Sequence, residues 1–198
     1  MSQQDLLTEV TRALQQQGIE FLLTGSHASS LQGEARSTHD IDLLVRLTLN
    51  DVDSLLRMFP PDRFYLSKSA IQDAIRSGRM FNVLETTTGE KIDLWVLTDT
   101  AFDQSRFSRR QRIQLPGVSL DVSSPEDTIL MKLWWGRRSG ESEKQFQDVV
   151  RVYELQGDVL DQEYLQKWAS ELGVVELWQR VLREAEPLLP PGSIPSSS

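Results

Sequence analysis

The 198-residue sequence has no cysteine and only two histidines. The first absence removes disulfide frameworks, thiolate catalysis, zinc fingers and iron–sulfur ligation together. It also agrees with a reducing compartment. Eleven glycines and eight prolines are too few for a collagen-like or low-complexity chain. Long hydrophobic runs are missing, so no segment approaches the roughly 20 apolar residues that cross a bilayer. The opening MSQQDLLTEV lacks the basic stretch and apolar core of a secretory signal. The expectation is a cytoplasmic protein with no membrane partner. An excess of positive charge is lacking too: 21 Lys and Arg face 29 Asp and Glu, for a net charge of -8. Such a chain has no general attraction to nucleic acid.

What remains is an ordinary globular composition, 39% hydrophobic and 25% charged. The length suits one domain with a helical appendage. A chain of this size buries about 70% of its unfolded surface around a core.

Apolar periodicity predicts a helix over residues 3–17, closed by Gly18. Glu20 to Thr24 reads as a buried strand, broken by Gly25 and Ser26, with a short helix from His27 to Gln32. Residues 40–46, DIDLLVR, read as a second strand. A helix over Leu49 to Phe59 stops at Pro60-Pro61. A short strand at Phe64 to Leu66 and a helix from Ser69 to Arg76 follow. Residues 79–86 and 90–97 read as paired strands around Thr87-Thr88-Gly89, and residues 102–110 as a helix. Pro116-Gly117 makes a turn into a strand over Val118 to Val122.

At Ser124-Pro125-Glu126-Asp127 the character changes. Serine caps, proline suits the first helical position, and acids favour the positive end of the helix dipole. Helices are expected to about Arg138, then near 142–156, 161–172 and 174–186, with a loose Pro/Gly/Ser tail from Pro187. The expected fold class is α+β: a core over 1–123 with a small mixed sheet, a helical subdomain over 124–186, and a tail over 187–198.

Asp40-Ile41-Asp42-Leu43 puts two carboxylates on one strand face, because side chains at i and i+2 point the same way. Adjacent carboxylates repel, and burial sharpens the conflict. Mg²⁺, which prefers oxygen ligands and is often held by one or two carboxylates with substrate phosphates, would relieve it. Lys91-Ile92-Asp93-Leu94 carries a third carboxylate on a predicted strand. If that strand lies beside the first, three carboxylates can hold two divalent ions for in-line displacement at phosphorus. Upstream, Leu22-Leu23-Thr24-Gly25-Ser26 is a strand running into a Gly-Ser turn and a helix. The amides at such a turn bind phosphate.

These segments together resemble the nucleotidyltransferase superfamily whose best-known branch is DNA polymerase beta. The shared pattern is a strand, Gly-Ser, an interval of thirteen residues here, an Asp-hydrophobic-Asp-hydrophobic strand, and a later carboxylate. The match covers roughly residues 19–97. The later S-x-E-D helix with its lysine resembles small stand-alone prokaryotic members, including abortive-infection nucleotidyltransferases of toxin–antitoxin systems. The resemblance implies that Asp40, Asp42 and Asp93 bind Mg²⁺ or Mn²⁺. Asp93 would also help activate an acceptor hydroxyl. Gly25 and Ser26 would hold the phosphates of a nucleoside triphosphate. Arg36 is a candidate for phosphate contact or for neutralising the carboxylates, and Lys132 for phosphate contact. His27 and Ala28 depart from the residues many members carry after Gly-Ser.

The implied reaction transfers a nucleoside monophosphate to a hydroxyl acceptor, which could be a small molecule, a protein or RNA. The alternative is an inactive member acting as a partner-binding or antitoxin-like module. An RNA acceptor would use the cluster Arg106, Arg109, Arg110 and Arg112, which otherwise reads as a solvated face. The net acidic stretch over 158–186 argues against a broad RNA grip. His39, beside Asp40, is a weaker candidate base, with an ordinary pKa near 6.5. Lys144 and Asp148 stand at i and i+4, a spacing that allows a local ion pair. Trp134, Trp135, Trp168 and Trp178 read as core residues, and one of them could stack on a base.

Overall fold

A computed structural model describes residues 3–34, 40–140 and 142–186. Arg36, His39 and the tail from Pro187, all named above, lie outside the described residues. The chain divides into two compact units. The described residues of the first fall within Met1–Ala28 and Arg36–Ser124, and those of the second within Ser29–Ala35 and Pro125–Ser198.

The first unit is built on a seven-stranded sheet in the order β3-β4-β5-β2-β1-β7-β6. The strands are β1 (Phe21–Thr24), β2 (Asp40–Val45), β3 (Phe64–Tyr65), β4 (Met80–Glu85), β5 (Lys91–Val96), β6 (Gln111–Leu115) and β7 (Val118–Val122). The sheet is mixed: β1 runs antiparallel to β2, while β2 pairs in parallel with β5 and β1 with β7. β4 and β5 form the expected hairpin.

Alternation along the strands gives the sheet two unlike faces. Ile41, Leu43 and Val45 of β2 and Ile92, Leu94 and Val96 of β5 point to one side. They join Leu6, Val10 and Leu14 of α1 (Gln3–Gln16), Val52 and Leu55 of α3 (Val52–Met58) and Ile71 of α4 (Lys68–Ser77) in the principal core. The opposite side carries a small cluster of Leu22, Leu44 and Phe107, the last from α5 (Ala101–Ser108). Trp95 and Leu97 pack against it.

Local chemistry sets the ends of these elements. Thr48 forms a capping box with Asp51 ahead of α3. Ser67 and Thr100 cap α4 and α5 through their side-chain oxygens. The segment from Leu49 divides into a 3₁₀ turn, Leu49–Asp51, and α3.

Two expectations need correction. α2 (Gly25–Gln32) starts two residues earlier than expected and takes in Ser26, while Gly25 itself keeps a positive φ and makes the break after β1. β6 was not expected as a strand at all. Its residues, Gln-Arg-Ile-Gln-Leu, are mostly polar, and its pairing with β7 across Pro116-Gly117 makes it an edge strand.

In the second unit, α6 (Pro125–Arg138), α7 (Glu143–Gln156), α8 (Gln162–Glu171) and α9 (Val175–Glu184) follow the predicted helical segments closely. Asp161 caps α8 by accepting from the Tyr164 amide. Trp168 and Trp178 are buried, as expected of core residues. Trp134 and Trp135 are partly exposed and meet edge to face, with ring centroids 4.8 Å apart.

Candidate active site

Strand register decides which polar residues meet on the sheet face opposite the principal core. Asp42 of β2 stands opposite Thr24 of β1 on one side and Asp93 of β5 on the other. Asp93 in turn stands opposite Asn82 of β4. Four adjacent strands therefore contribute one transverse row, Thr24-Asp42-Asp93-Asn82. Asp40 lies two residues before Asp42 on the same face and pairs in register with Lys91.

The chain leaves β1 directly at this row. Gly25 has φ +63°, a left-handed conformation that glycine adopts without a Cβ penalty. A Cβ built at Gly25 would collide with the Asp42 carboxylate, whose Oδ2, Cγ and Cβ occupy that space. The first turn of α2, with Ser26, thus starts against Asp42. His27 follows, mostly enclosed, and burial lowers its pKa from the ordinary value. Its Nε2 meets no hydrogen-bond partner among the described residues.

Asp93 is buried, with only 7% of its surface exposed, so its charge needs compensation. Asn82 Nδ2 donates to Asp93 Oδ1. Lys91 Nζ lies 2.9 Å from Asp93 Oδ2 and 3.7 Å from Asp40 Oδ1. The hydrogen bond to Asp93 is the chief reason the Lys91 ammonium titrates above its ordinary range. The charges of Asp93, Asp40 and Asp42 reinforce the effect against the opposing influence of partial burial. Trp95 Nε1 donates to Asp42 Oδ1 at 3.3 Å.

The donors Asp40, Asp42 and Asp93 are carboxylate oxygens, the chemistry that suits a hard divalent cation. The Lys91 ammonium is the cation now drawn between Asp93 and Asp40. Among the described residues, no group of three acidic or imidazole side chains is arranged to hold a metal ion as it stands.

Lys132 belongs to the second unit. It is buried on α6, and its Nζ lies 2.7 Å from Asp148 Oδ2 and 2.9 Å from Gln145 Oε1. Asp148 therefore meets Lys132 from another helix, where sequence spacing pointed to Lys144. The arginine cluster is only in part the solvated face expected of it, since Arg112 is exposed but Arg106 is not. Arg106 is buried against Asp103 at 2.8 Å. Arg110 joins Glu20 and Asp121, and Arg112 joins Asp121.

Lys91, Asn82 and Trp95 join the site beyond the residues that the sequence singles out. Lys91 and Trp95 share the i, i+2 parity of Asp93, and that was the available signal. Nothing in the sequence set Asn82 opposite Asp93.

No protein-family profile matches the sequence, and no curated protein matches it. Solved structures do. An antigenic nucleotidyltransferase-like protein from Paracoccidioides brasiliensis is similar over 92% of this chain and 93% of its own, with TM-score 0.53 and 16% identity. The fold is nucleotidyltransferase-like. ANT(2'')-Ia, in complex with adenylyl-2''-tobramycin, is similar over 89% of this chain and 99% of its own, with TM-score 0.55 and 13% identity. The lincosamide antibiotic adenylyltransferase LnuA, lincomycin-bound, covers 78% of this chain and 98% of its own, with TM-score 0.54 and 12% identity. At such identities the likeness speaks for the fold. No helix among the described residues is long and apolar enough to cross a membrane.

Proposed function

We propose that this protein transfers a nucleoside monophosphate from a nucleoside triphosphate to a hydroxyl of a small-molecule acceptor. The observation that carries the reading is the pairing of Asp42 with Asp93 beside the Gly25 turn, in a nucleotidyltransferase-like fold. In the reaction the acceptor oxygen bonds to the α-phosphorus as the α–β bridging bond breaks. The acceptor proton is released and pyrophosphate leaves. A bound Mg²⁺ or Mn²⁺ supplies charge neutralisation at the phosphates and lowers the pKa of the attacking hydroxyl.

The chain's own part is positioning and electrostatics. Asp40, Asp42 and Asp93 are the residues that would hold the metal. Asn82 orients the Asp93 carboxylate and Trp95 that of Asp42. The backbone at Gly25 and Ser26 would hold the phosphates of the nucleoside triphosphate. A small-molecule acceptor is favoured over RNA because Arg106, Arg110 and Arg112 are already engaged by Asp103, Glu20 and Asp121. The bound molecules of the two antibiotic-modifying neighbours belong to the same broad acceptor class.

The test is incubation of the purified protein with each of the four α-labelled nucleoside triphosphates, Mg²⁺ or Mn²⁺, and a panel of hydroxyl-bearing small molecules with cell extract as a pooled source. Labelled product from wild type and none from Asp42→Asn is the expected result. No product, together with no metal-dependent nucleotide binding, would replace the reading with that of a non-catalytic partner-binding module.

A further inference from the structure

We propose that Lys91 is a built-in counter-ion of the carboxylate row, a positioning residue that a divalent metal must displace in order to bind. The inference rests on the metal-dependent reading given above.

Three carboxylates share one sheet face, and one of them is buried, so like charges are gathered there. A metal-free protein must still fold around that charge. Lys91 answers the need locally: register puts it opposite Asp40, and parity puts it on the face of Asp93. Its ammonium reaches Asp93 Oδ2 at 2.9 Å and Asp40 Oδ1 at 3.7 Å, so it bridges two of the three acids.

The same geometry makes the ammonium and a metal ion competitors. Mg²⁺ binds carboxylate oxygen at about 2.1 Å. An ammonium still hydrogen-bonded to that oxygen would stand within a few ångströms of the ion, where like charges repel strongly in a partly enclosed site. One of the two must leave. Lys91 can do so, because its side chain is 37% exposed and its stem has four flexible carbons. Asn82 stays behind on the other oxygen of Asp93, so the carboxylate keeps its orientation as the cation changes.

A residue with only a structural role would weaken metal binding when removed. A displaced counter-ion gives the opposite sign. The experiment titrates the full chain with Mn²⁺ alone and reads free Mn²⁺ by electron paramagnetic resonance. The variants are Lys91→Met, Lys91→Gln as a second uncharged replacement, and Lys91→Arg, which keeps the charge. Thermal unfolding with and without Mn²⁺ is recorded in parallel.

Lys91→Met and Lys91→Gln are expected to bind Mn²⁺ about tenfold more tightly than wild type, equivalent to about 1.4 kcal/mol. Lys91→Arg is expected to stay within about threefold of wild type, a change well below one tenfold step. Without metal the uncharged variants should unfold at lower temperature than wild type and recover most of the difference with Mn²⁺. Unchanged or weaker Mn²⁺ affinity in a folded Lys91→Met or Lys91→Gln protein overturns the counter-ion role and leaves the proposed function standing. Absence of Mn²⁺ binding in wild type and variants alike overturns the metal-dependent reading, and the counter-ion role with it.

Discussion

Gly25 and Asp42 share one space: the carboxylate of Asp42 fills the volume that a side chain at position 25 would occupy. The turn that ends β1 and the acidic residue of β2 are therefore fitted to each other before any ligand is considered. Gly25 also has a positive φ, so its identity is required twice, once by backbone conformation and once by close approach.

Gly25→Ala is accordingly expected to destabilise the protein by about 1–2 kcal/mol from backbone conformation alone, with a further loss from the collision with Asp42. Because Asp42 must turn aside, metal-dependent nucleotide binding should fall together with stability. Urea unfolding and nucleotide titration of the same preparation check both. An alanine variant that keeps wild-type stability and binding would show that this close approach is not required.

A second prediction concerns acid. Glu85, at the end of β4, is buried and accepts hydrogen bonds from Thr88 Oγ1 at 2.6 Å and the Thr88 amide at 2.7 Å. The bond from the Thr88 hydroxyl is the leading reason that its carboxyl is held down to about 2. A folded-state pKa below the unfolded value means that the stabilisation is present in full above the ordinary value of 4.5. It is lost as pH falls from there toward about 2. Glu85→Gln should be less stable than wild type at neutral pH, and the difference should shrink across that acid window. Urea midpoints measured from neutral pH down to the acid limit test the sign. A difference that stays constant with pH would contradict it.

A third prediction lies in the helical unit. Lys132 and Asp148 are both largely buried, and their charged atoms are 2.7 Å apart. Removing one partner breaks a buried ion pair, at a cost of about 3–5 kcal/mol. Lys132→Met alone should therefore be strongly destabilising. The double variant Lys132→Met with Asp148→Leu should recover much of the loss, because apolar groups then replace both members of the buried ion pair. A double-mutant cycle by urea unfolding gives the coupling directly. Additive losses would mean that the ion pair is not the reason for the burial.

Much of the site was legible in the sequence because its signals are local. The i, i+2 spacing in Asp40-Ile41-Asp42 fixes a common face whatever the strand pairs with. The Gly25-Ser26 pair after an apolar run marks the close turn, and Ser124-Pro125-Glu126-Asp127 marks the start of the helical region. The buried Ile41, Leu43, Ile92 and Leu94 follow from the same alternation.

Other features depended on partners distant in the chain. β6 is too polar to read as a strand until β7 supplies its hydrogen-bonding edge. Asp148 had a lysine one helical turn away, yet tertiary packing gave it Lys132 from α6. Arg110 and Arg112 read as basic surface until Glu20 and Asp121 meet them.

The sequence by itself determined the acidic residues, their common strand face, the glycine beside them and, β6 apart, the succession of strands and helices. All of these follow from backbone geometry over a few residues. Only the tertiary structure decided that Asp42 lies opposite Asp93, that Asn82 extends the same row, and that Lys91 bridges Asp93 and Asp40. Strand register is set by pairing between segments far apart in sequence, and a shift of one residue would send each of these side chains to the other face of the sheet.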